Sequence, residues 1–291
     1  VTVFRNGQLV ETVPTAGVTR EELVAKMTDQ TAVEPISRRE TFGSVLLEVK
    51  DLASRDGRVK QGSLTLRSGE ILGLFGLGGS GRTELLECIF GCRTVEGGTV
   101  LLDGKECPSL APEASIRSGM VLISEDRRGK AMIGSLSVRD NILLSSIDTF
   151  SHYGVLRKKA ENDAAAEQID ALHIKLAGPN QRMLELSGGN QQKAVFARAL
   201  MTAPKIFLCD EPTQAVDVAT RSDIHHLLRR KADEGAGVLY VSSDLKELLE
   251  VADNILVMSR GRTRACWKNE NLTAQQVLAC CYETPEKEAQ P

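Results

Sequence analysis

Residues 71–91 read Ile71-Leu72-Gly73-Leu74-Phe75, then Gly76-Leu77-Gly78-Gly79-Ser80-Gly81-Arg82-Thr83, then Glu84-Leu85-Leu86-Glu87-Cys88-Ile89-Phe90-Gly91. The first five residues are an apolar run of strand length, the middle eight a glycine-rich turn, and the remainder a helix closed by Gly91. A glycine-rich loop between a strand and a helix start turns several backbone N–H groups toward one point, backed by the helix dipole. That arrangement suits phosphate oxygens. The pattern is G-x(4)-G-[K/R]-T, with Arg82 in the usual place of a phosphate-binding lysine and the Thr83 hydroxyl offered to magnesium. A glycine-rich turn alone says little. Joining a strand to a helix, it predicts an α/β domain whose phosphate loop spans Gly76 to Glu84.

Two segments downstream supply matching chemistry. Lys205-Ile206-Phe207-Leu208-Cys209-Asp210-Glu211 is a buried-strand pattern ending in two carboxylates. Asp210 can hold magnesium through water, and Glu211 is placed to orient or deprotonate an attacking water. Acidic pairs also occur as solvated strand ends, but here Pro212-Thr213 follows at once and Asp217 lies in the next turn. Leu186-Ser187-Gly188-Gly189-Asn190-Gln191-Gln192-Lys193 opens a helix expected over 190–203, stopped by Pro204. A hydroxyl, free N–H groups and a positive dipole end there face an anion. An ordinary N-cap accounts for Ser187 but not for the Gly-Gly-Asn-Gln-Gln continuation.

The bulk properties exclude several classes. The 291 residues carry a net charge of −3 with a pI near 5.9, so no basic footprint for a phosphate backbone exists and nucleic acid is not an expected partner. Seven cysteines, with no metal-type spacing, read as reduced thiols of a cytosolic chain. No apolar run approaches the ~20 residues needed to cross a bilayer. There is no signal peptide, and the chain begins with Val1 rather than Met, which suggests a fragment.

Short apolar segments at 71–75, 120–124, 206–210, 238–242 and 255–258 alternate with helical ones, predicting a mostly parallel core sheet flanked by helices. Segments 46–49, 62–66 and 99–102 read as a smaller antiparallel sheet, and 137–187 as a helical subdomain. Near the start, Val3-Phe4-Arg5-Asn6-Gly7 resembles Val257-Met258-Ser259-Arg260-Gly261. Thr19 to Ala25 likewise resembles Thr273 to Ala279, each opening with a capping box. Gly7 to Gly261 and Thr19 to Thr273 share one offset of 254, which suggests a duplicated domain. Residues 1–30 are then the tail of a preceding copy, 31–45 a linker, 46–282 one complete domain, and 283–291 a tail. A local coincidence of two strand-turn-helix units is the alternative.

Together these segments resemble the nucleotide-binding domains of ABC transporters, whose signature is L-S-G-G-Q. The form Leu-Ser-Gly-Gly-Asn-Gln-Gln-Lys, with Gly-Arg-Thr-Glu at 81–84, Ser124-Glu125-Asp126-Arg127-Arg128 and Val241-Ser242-Ser243, resembles the tandem ATPases of ribose, galactose and xylose importers. The resemblance spans 46–282. It implies a P-loop NTPase core, ATP and Mg2+ as cofactors, and transport-coupled hydrolysis at the cytoplasmic face of the membrane. It also implies three partners: a preceding nucleotide-binding domain, a membrane permease, and indirectly an extracellular or periplasmic sugar-binding protein. The resemblance assigns the signature to Leu186–Gln191, the D-loop to Asp217, the magnesium-sensing position to Glu125 and the switch position to Ser243. Four departures stand on the phosphate-loop face. Arg82 is bulkier than lysine, Glu125 stands where glutamine is expected, Ser243 where histidine is expected, and residues 55–72 contain no aromatic to stack on adenine. The signature itself is complete. That contrast predicts a weak site on this chain and a helix start that completes the partner's site. A nucleotide-binding module without hydrolysis, an importer of nucleosides or signalling sugars, and a soluble non-transport ABC ATPase are the competing readings.

Overall fold

The computed structural model describes residues 1–282 apart from 6, 7, 20, 21, 24, 25, 27–35, 108–110, 153 and 154. The expected tail 283–291 and the first part of the expected linker lie outside the described residues.

Five strands that read as unbroken apolar runs form the centre: β5 (Ile71–Phe75), β8 (Met120–Ile123), β11 (Ile206–Asp210), β12 (Gly237–Val241) and β13 (Asn254–Ser259). Strand β14 (Arg262–Lys268) pairs antiparallel at one edge, giving the order β14-β13-β5-β12-β11-β8, with all other pairings parallel. Continuous apolarity follows from burial on both faces. Ile71, Phe75, Phe207, Cys209, Val238, Tyr240, Ile255 and Val257 point to one apolar layer. Their neighbours Leu72, Leu74, Ile206, Leu208, Leu239, Val241, Leu256 and Met258 point to the other. The period of two thus splits each strand between two cores.

The first layer packs helices α3 (Val138–Leu143), α4 (Lys158–Ala171), α5 (Gly188–Leu200), α6 (Val218–Asp233), α7 (Leu245–Val251) and α8 (Ala274–Tyr282). The second packs α1 (Arg82–Phe90) beneath a four-stranded antiparallel sheet ordered β4-β3-β6-β7. Its strands are β3 (Val45–Ser54), β4 (Gly62–Arg67), β6 (Val95–Leu102) and β7 (Lys105–Glu106), with α2 (Pro112–Arg117) leading back to β8. Several boundaries differ from the sequence reading. Strand β6 begins at Val95 because β3 continues to pair with it past two register shifts, up to Ser54 opposite Val95. Helix α5 begins at Gly188 because Ser187 already caps it, and it ends at Leu200 because Ala203 turns left-handed at φ 46° before Pro204. Between α3 and α4 the helix-rich stretch also contains a hairpin of β9 (Ser151–His152) and β10 (Val155–Leu156).

The first residues form a hairpin of β1 (Thr2–Arg5) and β2 (Gln8–Thr12). Its register pairs Thr2 with Thr12, Phe4 with Leu9 and Arg5 with Gln8. In β13–β14 the pairs are Leu256 with Cys266, Met258 with Thr263 and Ser259 with Arg262, each displaced by the same 254 positions. The capping boxes repeat too. The Glu22 amide donates to the Thr19 hydroxyl while Glu22 accepts from the Thr19 amide, at 3.2 and 3.1 Å. Gln276 and Thr273 make the same exchange at 3.3 and 2.9 Å. The segment before β3 is anchored to the domain. Arg38 donates to the carbonyls of Asn269 and Leu249, and the Arg39 amide donates to Asp253 at 2.8 Å.

Two buried ionic centres cross the first layer. Arg229 of α6 grips both oxygens of Asp253 at 2.9 Å, and the same carboxylate accepts the Ile71 amide that begins β5. Glu247 of α7, 4% exposed, accepts from Tyr240 at 3.0 Å, His225 at 2.9 Å, Ser242 at 2.6 Å and the Thr213 hydroxyl. Burial raises the affinity of this carboxyl for its proton, but the hydrogen bonds from His225, Ser242 and Thr213 and the charge of His225 outweigh it and bring the pKa down to about 2.

The Glu247 carboxyl titrates near 2 when folded and near 4.5 when unfolded. Its contribution, on the order of 3 kcal/mol, is therefore complete above pH 5 and is lost as pH falls through 4.5 toward 2. Urea denaturation of Glu247→Gln against wild type is expected to show a deficit at pH 6 that narrows steadily below pH 4.5. A deficit constant with pH contradicts the ionised assignment. Deleting residues 1–30 is expected to move the thermal transition of the remainder by less than about 4 °C, the equivalent of roughly 1–2 kcal/mol in a domain of this size. Calorimetry of the two chains measures it.

Candidate nucleotide site and signature face

The phosphate loop leaves the carboxyl end of β5 and enters α1. A Cβ on Gly76 would lie 2.4 Å from the Met258 carbonyl and 2.5 Å from the Ser80 hydroxyl, so only glycine allows the chain to turn there. Gly79 and Gly81 take φ of 74° and 102°, a region costly to any residue with a Cβ. Gly81 is also the N-cap of α1, and no side chain caps the helix. The first N–H groups of α1 are thus left to a ligand. Leu77, 37% exposed, and Gly78, whose Cβ direction is open, form the outer lip of the loop. Glu84 stands in the first turn of α1.

Strand register brings the other groups to the same edge. Leu74 lies opposite Val241, and Val241 opposite Asp210, so the ends of β5, β12 and β11 are level. Thr83 hydrogen-bonds Asp210, whose pKa is raised to about 6, first by burial and then by the neighbouring charges of Glu125 and Glu211. The buried atoms Asp210 Oδ1 and Ser80 Oγ have no hydrogen-bond partner. Orphaned buried oxygens beside an uncapped helix start fit a magnesium–nucleotide ligand, with Thr83 and Asp210 at the metal. Glu211 sits in a left-handed conformation at φ 46°, and burial raises its pKa while a bond from Ser243 and the charge of Arg82 lower it. Such a φ costs a non-glycine residue on the order of 1–3 kcal/mol.

Arg82 occupies the interior of this arrangement. Its guanidinium donates to the Gly76 carbonyl and lies 3.6 Å from Glu211 Oε1, with only 13% of the side chain exposed. Glu125 is exposed and accepts from Gln214 at 3.1 Å. Ser243, expected at the switch position, is exposed and turned to Glu211.

The residues expected to form the signature lie on a second face. Ser187 caps α5, accepting from the Asn190 amide and from Asn190 Nδ2 at 2.9 Å. Asn190 also accepts from the Lys175 amide at 2.8 Å, which ties the helix start to the helical subdomain. A Cβ on Gly189 would lie 2.5 Å from Thr220 Oγ1 and 3.0 Å from Asp217, and one on Gly188 would lie 3.3 Å from the Ala215 carbonyl. The glycines therefore let α5 press against the segment leading into α6, which Asp217 caps by accepting from Thr220. Leu186 and Gln191 belong to the packing beneath. Gln191 is 1% exposed and donates to the Leu186 and Met183 carbonyls.

The roles of five side chains escaped the sequence reading. Arg198 of α5 donates to the carbonyls of Asn141 and Ala131 at 2.7 and 2.8 Å, clamping the signature helix to the helical subdomain. Its partners are carbonyls more than fifty residues away, for which no local pattern exists. Glu247 and His225 likewise lie on separate helices. Thr213 and Ser242 lie within the recognised motifs, but their role appears only with their buried partner. Between α1, β8 and α5 a groove of about 530 Å³ is lined by Phe90, Cys92, Val121, Lys130 and Arg198. Among the described residues no helix is long and apolar enough to cross a membrane.

Comparison with known proteins agrees with this fold. The chain superposes on a nucleotide-free ATP-binding cassette from an ABC transporter with a TM-score of 0.70, 21% identity and coverage of 81% of this chain and 96% of that one. It superposes on a dimeric cassette in a post-hydrolysis state bound to ADP and Pi with a TM-score of 0.67, 22% identity and coverage of 78% and 100%. These likenesses establish the fold. In sequence it is 38% identical over 280 residues to the ribose import ATP-binding protein RbsA 2 of Rubrobacter xylanophilus, covering 96% of this chain and 54% of that protein. It is 35% identical over 288 residues to the xylose import ATP-binding protein XylG of Photobacterium profundum, covering 96% and 57%. The chain thus spans about half the length of the curated relatives it matches. The family profile described as ABC transporter matches residues 59–214, more than half of the chain. The chain belongs to the ABC transporter family, among the ATP-binding cassettes similar to those of ribose and xylose import.

Proposed function

We propose that the chain is the second nucleotide-binding half of a tandem ATPase that drives a sugar importer, with a weak site of its own and a signature face that completes the site on the first half. The observation that carries this reading is the contrast between the two faces. Arg82 lies inside the phosphate loop, bonded to Gly76 and paired with Glu211, whereas the Ser187-Gly188-Gly189 helix start is capped and fully formed. Phosphoryl transfer needs positive charge and positioning on the γ-phosphate from several groups at once. On this chain the lysine position is a guanidinium tied to a carboxylate, and the switch position is a hydroxyl.

The cofactors in this reading are ATP, on the loop from Gly76 to Glu84, and Mg2+, at Thr83 and Asp210. Magnesium supplies charge compensation between phosphates. Glu211, Ser243 and Glu125 border the γ-phosphate end, and Asp217 faces the dimer interface. The tandem arrangement is supported by the common 254-residue displacement of hairpin register and capping box. Residues 1–30 are then the tail of the first half and 31–45 the connection, which makes the preceding domain the first partner. The groove bounded by Lys130 and Arg198, beside the helical subdomain at 137–187, is the seat for a permease at the cytoplasmic face. A sugar-binding protein acts further out. The Arg82–Glu211 pair equally supports a narrower version, in which this half binds nucleotide without hydrolysing it.

Two measurements test this. In the full tandem protein with its permease, Ser187→Arg is expected to lower steady-state phosphate release by on the order of 100-fold, the scale of losing a transition-state contact. Glu211→Gln is expected to cost less than about threefold. The opposite ranking assigns the faces the wrong way round. For the 291-residue chain alone, magnesium–ATP is expected to bind more weakly than micromolar. An absent adenine-stacking ring forfeits about 1 kcal/mol, and Arg82 must yield its bonds. Calorimetric titration of wild type and Arg82→Lys measures this, with the tighter binding expected in the variant.

A further inference from the structure

Glu247 gathers donors from both segments that border the nucleotide site. Thr213 lies two residues beyond Glu211, and Ser242 immediately precedes Ser243. Tyr240 and His225 complete the cluster at 3.0 and 2.9 Å, and all five residues are at most 5% exposed. Arg221 of α6 adds its charge 3.8 Å away. Four donors on one desolvated carboxylate leave it no freedom to exchange partners, so each attached segment is held at a fixed distance from the others.

The held segment, 211–220, reaches both faces of the chain. At one end Glu211 meets Arg82 and Ser243. At the other, Ala215, Asp217 and Thr220 press against Gly188 and Gly189 of the signature helix. Thr213 is its buried attachment point, and the residues on either side, Glu211 at φ 46° and Ala215 at φ 54°, are both left-handed without being glycine. A non-glycine residue persists in that region only where its surroundings impose it. Detached from Glu247, the segment loses one of the bonds that impose it, the Glu211 amide still donating to the Val241 carbonyl at 3.0 Å.

We propose that Glu247 is a positioning residue which, through Thr213, makes residues 211–220 a rigid connection between this chain's phosphate loop and its signature helix start. Nucleotide held at Gly76–Thr83 displaces the Arg82 guanidinium from Glu211, and the connection carries that change to Gly188 and Gly189. A weak site thereby adjusts the face presented to the other half. The proposal rests on the reading of the two faces given above.

Hydrogen–deuterium exchange of the 291-residue chain, with and without magnesium–ATP, tests it. In wild type, nucleotide is expected to slow exchange by about threefold or more both at 76–86 and at 187–192. Thr213→Val should keep the slowing at 76–86 and lose it at 187–192, and Thr213→Ser should restore both. Tyr240→Phe removes a donor from the same carboxylate but leaves Thr213 attached, so it should lower the melting temperature without uncoupling the regions. If Thr213→Val does not fold, Thr213→Ala gives the same readout. Slowing at 187–192 that survives Thr213→Val, or that is missing in wild type, overturns the proposal alone. No slowing at 76–86 in wild type overturns the nucleotide reading as well.

Discussion

The level carboxyl ends of β5, β12 and β11 are the constraint on which everything else depends. With Val241 opposite both Leu74 and Asp210, the phosphate loop, the Asp210–Glu211 pair and Ser243 emerge at one height along the same edge. A slip of one residue in either pairing turns every side chain of that strand to the opposite face. Such a slip would place Tyr240 among the aliphatic residues of the second layer, away from Glu247. The register is set from below as well, by Asp253, which holds the first amide of β5 and the guanidinium of Arg229 together.

Burial of charge follows from that alignment. Glu247 and Asp253 lie in the same apolar layer, and both are satisfied by partners from several elements. Asp210 is different: it is 2% exposed, with one oxygen bonded to nothing. A half-satisfied carboxylate at the carboxyl edge of the sheet costs stability. The contrast separates the charges that hold the fold from the one whose burial the fold leaves half satisfied.

Arg82 has a similar double character. In the loop it satisfies the Gly76 carbonyl and approaches Glu211, so the resting loop is stabilised by the chain's own cation. A phosphate entering there competes with bonds already made. Lysine, a compact point charge on a flexible stem, moves with less loss than a planar guanidinium.

The local patterns were legible in the linear chain. Continuous apolarity marked the doubly buried strands, glycines with positive φ marked the phosphate loop, and Ser187 ahead of two glycines marked the start of α5. Each rests on interactions between residues a few positions apart, which a sequence displays directly. Even the likeness of residues 2–12 and 19–22 to 256–266 and 273–276 was visible, because hairpin register and capping boxes are local. The closure of Arg82 onto Glu211, 129 positions away, was not visible. Nor was the gathering of Thr213, His225, Tyr240 and Ser242 around Glu247, or the clamp of Arg198 on Asn141 and Ala131. Those arise where β12 is inserted between β5 and β11 and where α5 crosses the helical subdomain. Which polar groups become partners there depends on what the sheet order brings within about 3 Å, and no spacing along the chain encodes that distance.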